Sequence, residues 1–152
     1  MQSRDRLLSM RTVLTILLLL FACAALAQAP SYHAVGNMSQ LMVDIIYPAS
    51  DAIFYIERDP PKTEVQWKAF RTQALMLAES GNLLLMPGRN RNDEKWNVDT
   101  KLMIDAGQAA YKAALAKDVN AIVALNDQLT AACITCHKDY RPNYGKPAPL
   151  AK

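Results

Sequence analysis

Cys133-Ile134-Thr135-Cys136-His137 sets two thiols three positions apart, with an imidazole directly after the second. That is the attachment pattern of a c-type haem. The thiols add across the two vinyl groups of the porphyrin as thioethers, and the adjoining His137 is then held beneath the iron as its proximal ligand. The spacing suits the task because sulfurs three residues apart on a helix are about one turn apart, roughly the reach between neighbouring vinyls.

Other chemistries compete for the same residues. A zinc site needs about four nitrogen or sulfur ligands. Outside the N-terminal leader only Cys133, Cys136, His33 and His137 remain, with no second Cys-x-x-Cys. A redox dithiol is the stronger rival, but such pairs usually open a helix in a βαβ setting, and no strand alternation surrounds this one. A plain structural disulfide is the third reading.

The residues that must enclose a porphyrin lie within 152 residues, the length of one domain. Residues 1–27 read as a secretory signal peptide. Arg4, Arg6 and Arg11 precede an apolar run from Val13 to Leu26, and Ala25-Leu26-Ala27 offers a small-x-small cleavage site. The run is shorter than the roughly 20 residues of a membrane span. Leu20-Phe21-Ala22-Cys23 loosely resembles a lipoprotein box, so membrane association is expected only if Cys23 is lipidated or the leader retained. Export to the periplasm suits haem attachment, which in bacteria takes place there. The net charge of +3 comes from 17 basic and 14 acidic residues; without the three leader arginines and Asp5 it falls to +1. That is no nucleic-acid footprint.

From Ser31 the apolar pattern turns helical. Met38, Leu41, Met42, Ile45, Ile46, Ala49, Ile53 and Ile56 recur at three- and four-residue steps. Pro48 should kink this helix rather than end it, because the stripe resumes beyond it. A break at Glu57-Arg58-Asp59-Pro60-Pro61 leads to a second helix, capped by Asp59 or by a Thr63/Gln66 capping box. It carries Trp67, Phe70, Ala74, Leu77, Gly81 and Leu84 inward and ends at Met86-Pro87-Gly88. Gly81 marks either a close approach, by a helix or by the porphyrin edge, or a mere irregularity. A polar loop from Arg89 to Glu94 follows, with Asp93 as the next N-cap. The third helix, 94–117, has Val98, Leu102, Ala106, Ala109 and Ala113 as its expected inner face. Asp118 caps a fourth, with Ile122, Leu125, Leu129, Ala132, Cys133, Cys136 and Tyr140 inward and Pro142 as its stop. Residues 28–144 thus form the helical domain, and 145–152 a flexible tail.

Four amphipathic segments of roughly 20 residues with short links predict an all-α, antiparallel up-down-up-down four-helix bundle enclosing the covalent haem. In that topology the Met38–Ile46 stripe meets the far face of the porphyrin. Met38 and Met42 are one turn apart on one face, so either thioether can reach the iron; both can also be core fillers. His33 precedes the stripe and is a poor ligand.

Four helices with the attachment motif near the C-terminus, followed by Tyr140-Arg141, resemble the class II cytochromes c, the group of cytochrome c prime and its low-spin relatives. The likeness runs from about Val35 to Tyr144, and its specificity lies mostly in the C-terminal motif. In the low-spin members an early methionine of helix one is the sixth iron ligand. The spacing of Leu41-Met42 from Leu85-Met86-Pro87 resembles that arrangement, which favours Met42 over Met38. The resemblance implies one haem c per chain, with Tyr140 and Arg141 at the haem edge and Arg141 a candidate propionate partner. Arg141 read on its own is a cation at a helix C-terminus, and Arg89 and Arg91 read as a solvated loop, with a propionate contact as the alternative. It further implies transient redox protein partners, a possible homodimer through helices one and two, and electron transfer rather than catalysis. With no methionine on the iron, the expected function changes to binding of small gases, nitric oxide or carbon monoxide.

Overall fold

The computed structural model describes residues 32–141 and 143–144. The signal peptide over 1–27, Cys23, Ser31, Pro142 and the tail over 145–152 lie outside the described residues. Tyr32 and His33 are exposed; the body described below begins at Ala34.

Helices carry this body, and no strand is present among the described residues. The first, α1, spans 38–54 and begins at Met38, the first residue of the apolar stripe. Asn37 caps it: Gln40 N–H donates to Asn37 Oδ1 at 2.9 Å and Asn37 N–H to Gln40 Oε1 at 3.0 Å, satisfying donors that a helix start leaves open. Pro48 is accommodated by a widened segment just before it. Leu41–Ile46 is π-helical, with Tyr47 N–H reaching back to Met42 O. Proline offers no amide to the carbonyl four residues earlier and crowds it; an i→i+5 turn there gives room, and the helix continues to Phe54. A 3₁₀ turn at Ile56–Arg58 closes the segment.

The second helix, α2, is Glu64–Leu85 and begins with the Thr63/Gln66 capping box rather than at Asp59. The third, α3, is Glu94–Leu115, capped by Asp93 Oδ1 on Lys95 N–H at 2.9 Å. These two helices share the most extensive packing in the molecule, and glycine explains how. A Cβ on Gly107 would stand 2.6 Å from the Ala78 amide nitrogen and 2.9 Å from its Cα, while one on Gly81 would meet the Ile104 side chain. Gly81 therefore marks the close approach of α3. Because the obstacle at Gly107 is backbone, Gly107→Ala should destabilise by about 1–3 kcal/mol, outweighing the roughly 1 kcal/mol of helix propensity that alanine gains. Thermal denaturation should show both Gly107→Ala and Gly81→Ala melting below wild type, since the obstacle at 81 is Ile104 Cγ1, beside the branch of a stiff side chain.

The inner face of α3 differs from the expected one. Its buried residues are Trp96, Asp99, Thr100, Met103, Ala106, Gly107, Ala110 and Ala114, whereas Val98 is 54% exposed. Trp96 fixes this rotation. Its indole is buried and donates from Nε1 to Leu84 O at 3.1 Å, tying the start of α3 to the end of α2.

The fourth helix, α4, covers Val119–Tyr140 and is interrupted at Ala124-Leu125 between Val119–Val123 and Asn126–Tyr140. Asp118 caps it through Ala121 N–H at 2.9 Å. It packs mainly on α3. Lys117, at the end of α3, pairs with Glu64 at the start of α2. Tyr140, at the end of α4, donates its hydroxyl to Asp93 at the start of α3. Ile53, Leu77, Ile122 and Leu129 are fully buried in the shared core.

Candidate functional site

Between α1, α3 and the second half of α4 lies a cavity of about 940 Å³, near the top of the roughly 300–1,000 Å³ range of cofactor and small-molecule sites. The motif residues line it. Cys133, Cys136 and His137 stand on the α4 wall, with Tyr140 and Arg141 beyond them. Met38 and Met42 line it from α1, together with Val43, Ile46 and Tyr47. Helix α3 supplies Trp96, Asp99, Thr100 and Met103, and Leu84 joins them from α2.

Local chemistry explains why these groups meet. Cys133 and Cys136, i and i+3 on α4, share the face that also carries the buried Leu129 and Ala132. By length and composition α4 is apolar enough to cross a membrane, yet only 17% of its most apolar stretch is buried. Ala132, Cys133, Cys136 and Tyr140 of this helix line the cavity, while Ile122 and Leu129 are fully buried in the core. On α1 the widened turn holds Leu41 in the core and leaves Met42 half-buried at the cavity wall; single π turns of this kind are frequent at functional sites.

The electrostatics run against a reactive dithiol. The two cysteines are free thiols in the structure. Burial pushes the Cys133 thiol up, and burial together with the charges of Asp99, Cys133 and Asp139 pushes Cys136 up to about 11. A redox-active Cys-x-x-Cys needs the opposite: a thiol lowered by a helix N-terminus or a nearby cation. Burial, followed by the Arg141 charge, lowers the His137 imidazole and so favours its neutral form, the one that binds a metal. Among the described residues no three His, Cys, Asp or Glu side chains converge as a metal-ion site. It leaves untouched a macrocycle that brings its own equatorial nitrogens.

The residues fit a haem on their own terms. One wall offers two sulfurs and an imidazole, the opposite helix offers two thioethers, and the space between them is large and mostly apolar. Further polar groups sit at its edge. Arg141 is exposed at the rim, and its guanidinium lies 5.9 Å from the Tyr144 ring. Arg91, expected in a solvated loop, is exposed but borders the cavity too, with its guanidinium 5.7 Å from the Trp96 ring. Arg89 does not belong to that rim or to a solvated loop: it is half-buried and donates to Gly36 O at 3.1 Å, fastening the α2–α3 loop to the approach to α1.

Tyr140 packs edge-on against Trp96, the centroids 4.9 Å apart at 87°. Its hydrogen bond to the Asp93 carboxylate raises the phenol to about 12 and holds Asp93 below its usual range. Beside it Lys95 pairs with Asp139, so the C-terminal end of α4 is fastened to the first turn of α3. Trp96, Asp99, Thr100 and Met103 escaped sequence reading. The signal for them was present: Trp96, Thr100, Met103 and Gly107 recur at i, i+4, i+7 and i+11, a stripe anchored on the bulkiest residue of the helix rather than on Val98. No protein-family model, curated protein or solved structure shows significant similarity to the chain.

Proposed function

We propose that this protein is an exported, periplasmic c-type cytochrome of the class II type. In this reading it is an up-down-up-down four-helix bundle that carries single electrons between transient protein partners. The observation that carries the reading is the convergence of Cys133, Cys136 and His137 on one wall of a porphyrin-sized cavity, with Met42 and Met38 opposite. The end-to-end ties Glu64–Lys117, Leu84–Trp96 and Asp93–Tyr140 support the alternation of helix direction.

Bound in the cavity, haem c supplies a reversible one-electron couple at its iron. The chain does the rest. Cys133 and Cys136 hold the macrocycle by thioethers, and His137 presents a neutral imidazole from the same helix. Met42 offers its thioether from α1; a His/Met pair raises the potential and leaves no vacant position for other chemistry. Ile46, Leu84, Met103 and Ala132 exclude water, while Arg91 and Arg141 stand at the rim where propionates would meet solvent.

The test is the haem stain of the mature protein on a denaturing gel, after expression with a maturation system, followed by absorption spectra in both oxidation states. Colour retained through denaturation and a low-spin oxidised spectrum with the methionine-to-iron charge-transfer band are expected. A colourless band would leave the dithiol reading standing. A coloured protein with a high-spin spectrum that changes on adding carbon monoxide would make it a gas-binding protein.

A further inference from the structure

Two polar side chains occupy places where the cavity wall would otherwise be apolar. Asp99 is 5% exposed and Thr100 2%, both line the cavity, and Asp99 Oδ2 and Thr100 Oγ1 have no hydrogen-bond partner among the described residues. Buried oxygens left without partners are rare in folded proteins and call for a reason. The cations near Asp99 are engaged elsewhere: Lys95, one turn earlier on α3, pairs with Asp139, and Arg91 and Arg141 lie toward the rings of Trp96 and Tyr144. Among the described residues Asp99 belongs to no ion pair. Because Asp99 borders the cavity, a group bound there lies within reach of its charge.

Asp99 lines the same cavity as Cys133, Cys136 and His137, facing the attachment wall from α3. In a poorly screened interior a fixed negative charge acts over such distances far more strongly than in water. We propose that Asp99 sets the reduction potential of the haem bound in this cavity, its carboxylate favouring the ferric state over the ferrous. Reduction adds one electron, taken from the partner or an electrode, and removes one positive charge from the iron, so the attraction of Asp99 is stronger before reduction than after it. Thr100 adds a hydroxyl dipole beside it, and Asp99 acts as a positioning residue for charge rather than as a ligand. The proposal rests on the haem reading above.

Spectroelectrochemical titration of the haem-loaded full chain tests it, with wild type beside Asp99→Asn, Asp99→Ser and Asp99→Glu. In the neutral variants the midpoint is expected to rise by at least a tenfold change in the one-electron equilibrium constant, about 59 mV. Asp99→Glu, which keeps the charge, should stay closer to wild type than either. A coloured neutral variant with wild-type helix content and an unchanged or lower midpoint overturns the role of Asp99. A colourless wild-type protein would instead remove the haem reading itself.

Discussion

Replacing both Cys133 and Cys136 by alanine, and producing the chain with no haem supplied, should abolish its fixed tertiary structure while leaving much of its helix. The reasoning is one of burial. Without haem the space of about 940 Å³ is open to water at its rim, which wets Ile46, Leu84 and Met103, whose burial holds α1, α2 and α3 around the site. Fully burying a side chain of this kind is worth about 1.5–3 kcal/mol, and a domain has only about 5–15 kcal/mol of net stability to set against such losses. The helices themselves keep their local supports, the capping residues Asn37, Thr63, Asp93 and Asp118. The expected state is compact and helical, with fluctuating packing and exposed apolar surface. Far-UV circular dichroism should remain strong, the near-UV signal of the buried Trp67 and Trp96 should vanish, and a hydrophobic dye should bind. A haem-free chain that melts cooperatively at the wild-type temperature would contradict this.

What sequence reveals here depends on how far apart the cooperating residues lie. Caps are written within three residues, so Thr63 with Gln66, Asp93 and Asp118 are legible at once, and the structure uses each. The Cys133-to-His137 motif is equally local. Facing is harder. On α3 alanines at 106, 109, 110, 113 and 114 allow two neighbouring stripes, and only the depth of Trp96 decides between them. Asp99 and Thr100 run against pattern reading altogether, because polar residues on a helix are taken for its wet side. The interruption at Ala124-Leu125 carries no glycine or proline to announce it. Pro48 announces a disturbance in α1, but not that the widened turn before it would deliver Met42 to the cavity wall.

Met42→Ala should remove the methionine-to-iron band from the oxidised spectrum and convert a low-spin protein into a high-spin one that binds carbon monoxide, whereas Met38→Ala should leave the band in place. Both side chains line the cavity, so position along α1 decides. Met38 is the first residue after the Asn37 cap, at a helix end, where local opening is cheapest. Met42 lies inside the π turn and its carbonyl accepts the i→i+5 bond from Tyr47 N–H, which fixes the backbone from which its thioether extends. Leu41 and Ile46, both buried, pin that turn on either side. A ligand to iron must hold its place through each change of oxidation state, and this is the methionine with the better-held backbone. Truncating a packed methionine also costs about 2–5 kcal/mol, so Met42→Leu, which keeps the apolar volume, is the companion that separates lost ligation from lost packing. The band should be absent from both Met42 variants, with only the alanine form markedly less stable. If Met38→Ala removes the band instead, the ligand is one turn nearer the cap. If the wild-type spectrum is already high-spin and neither substitution alters it, both thioethers are core, and the open distal face belongs to a gas.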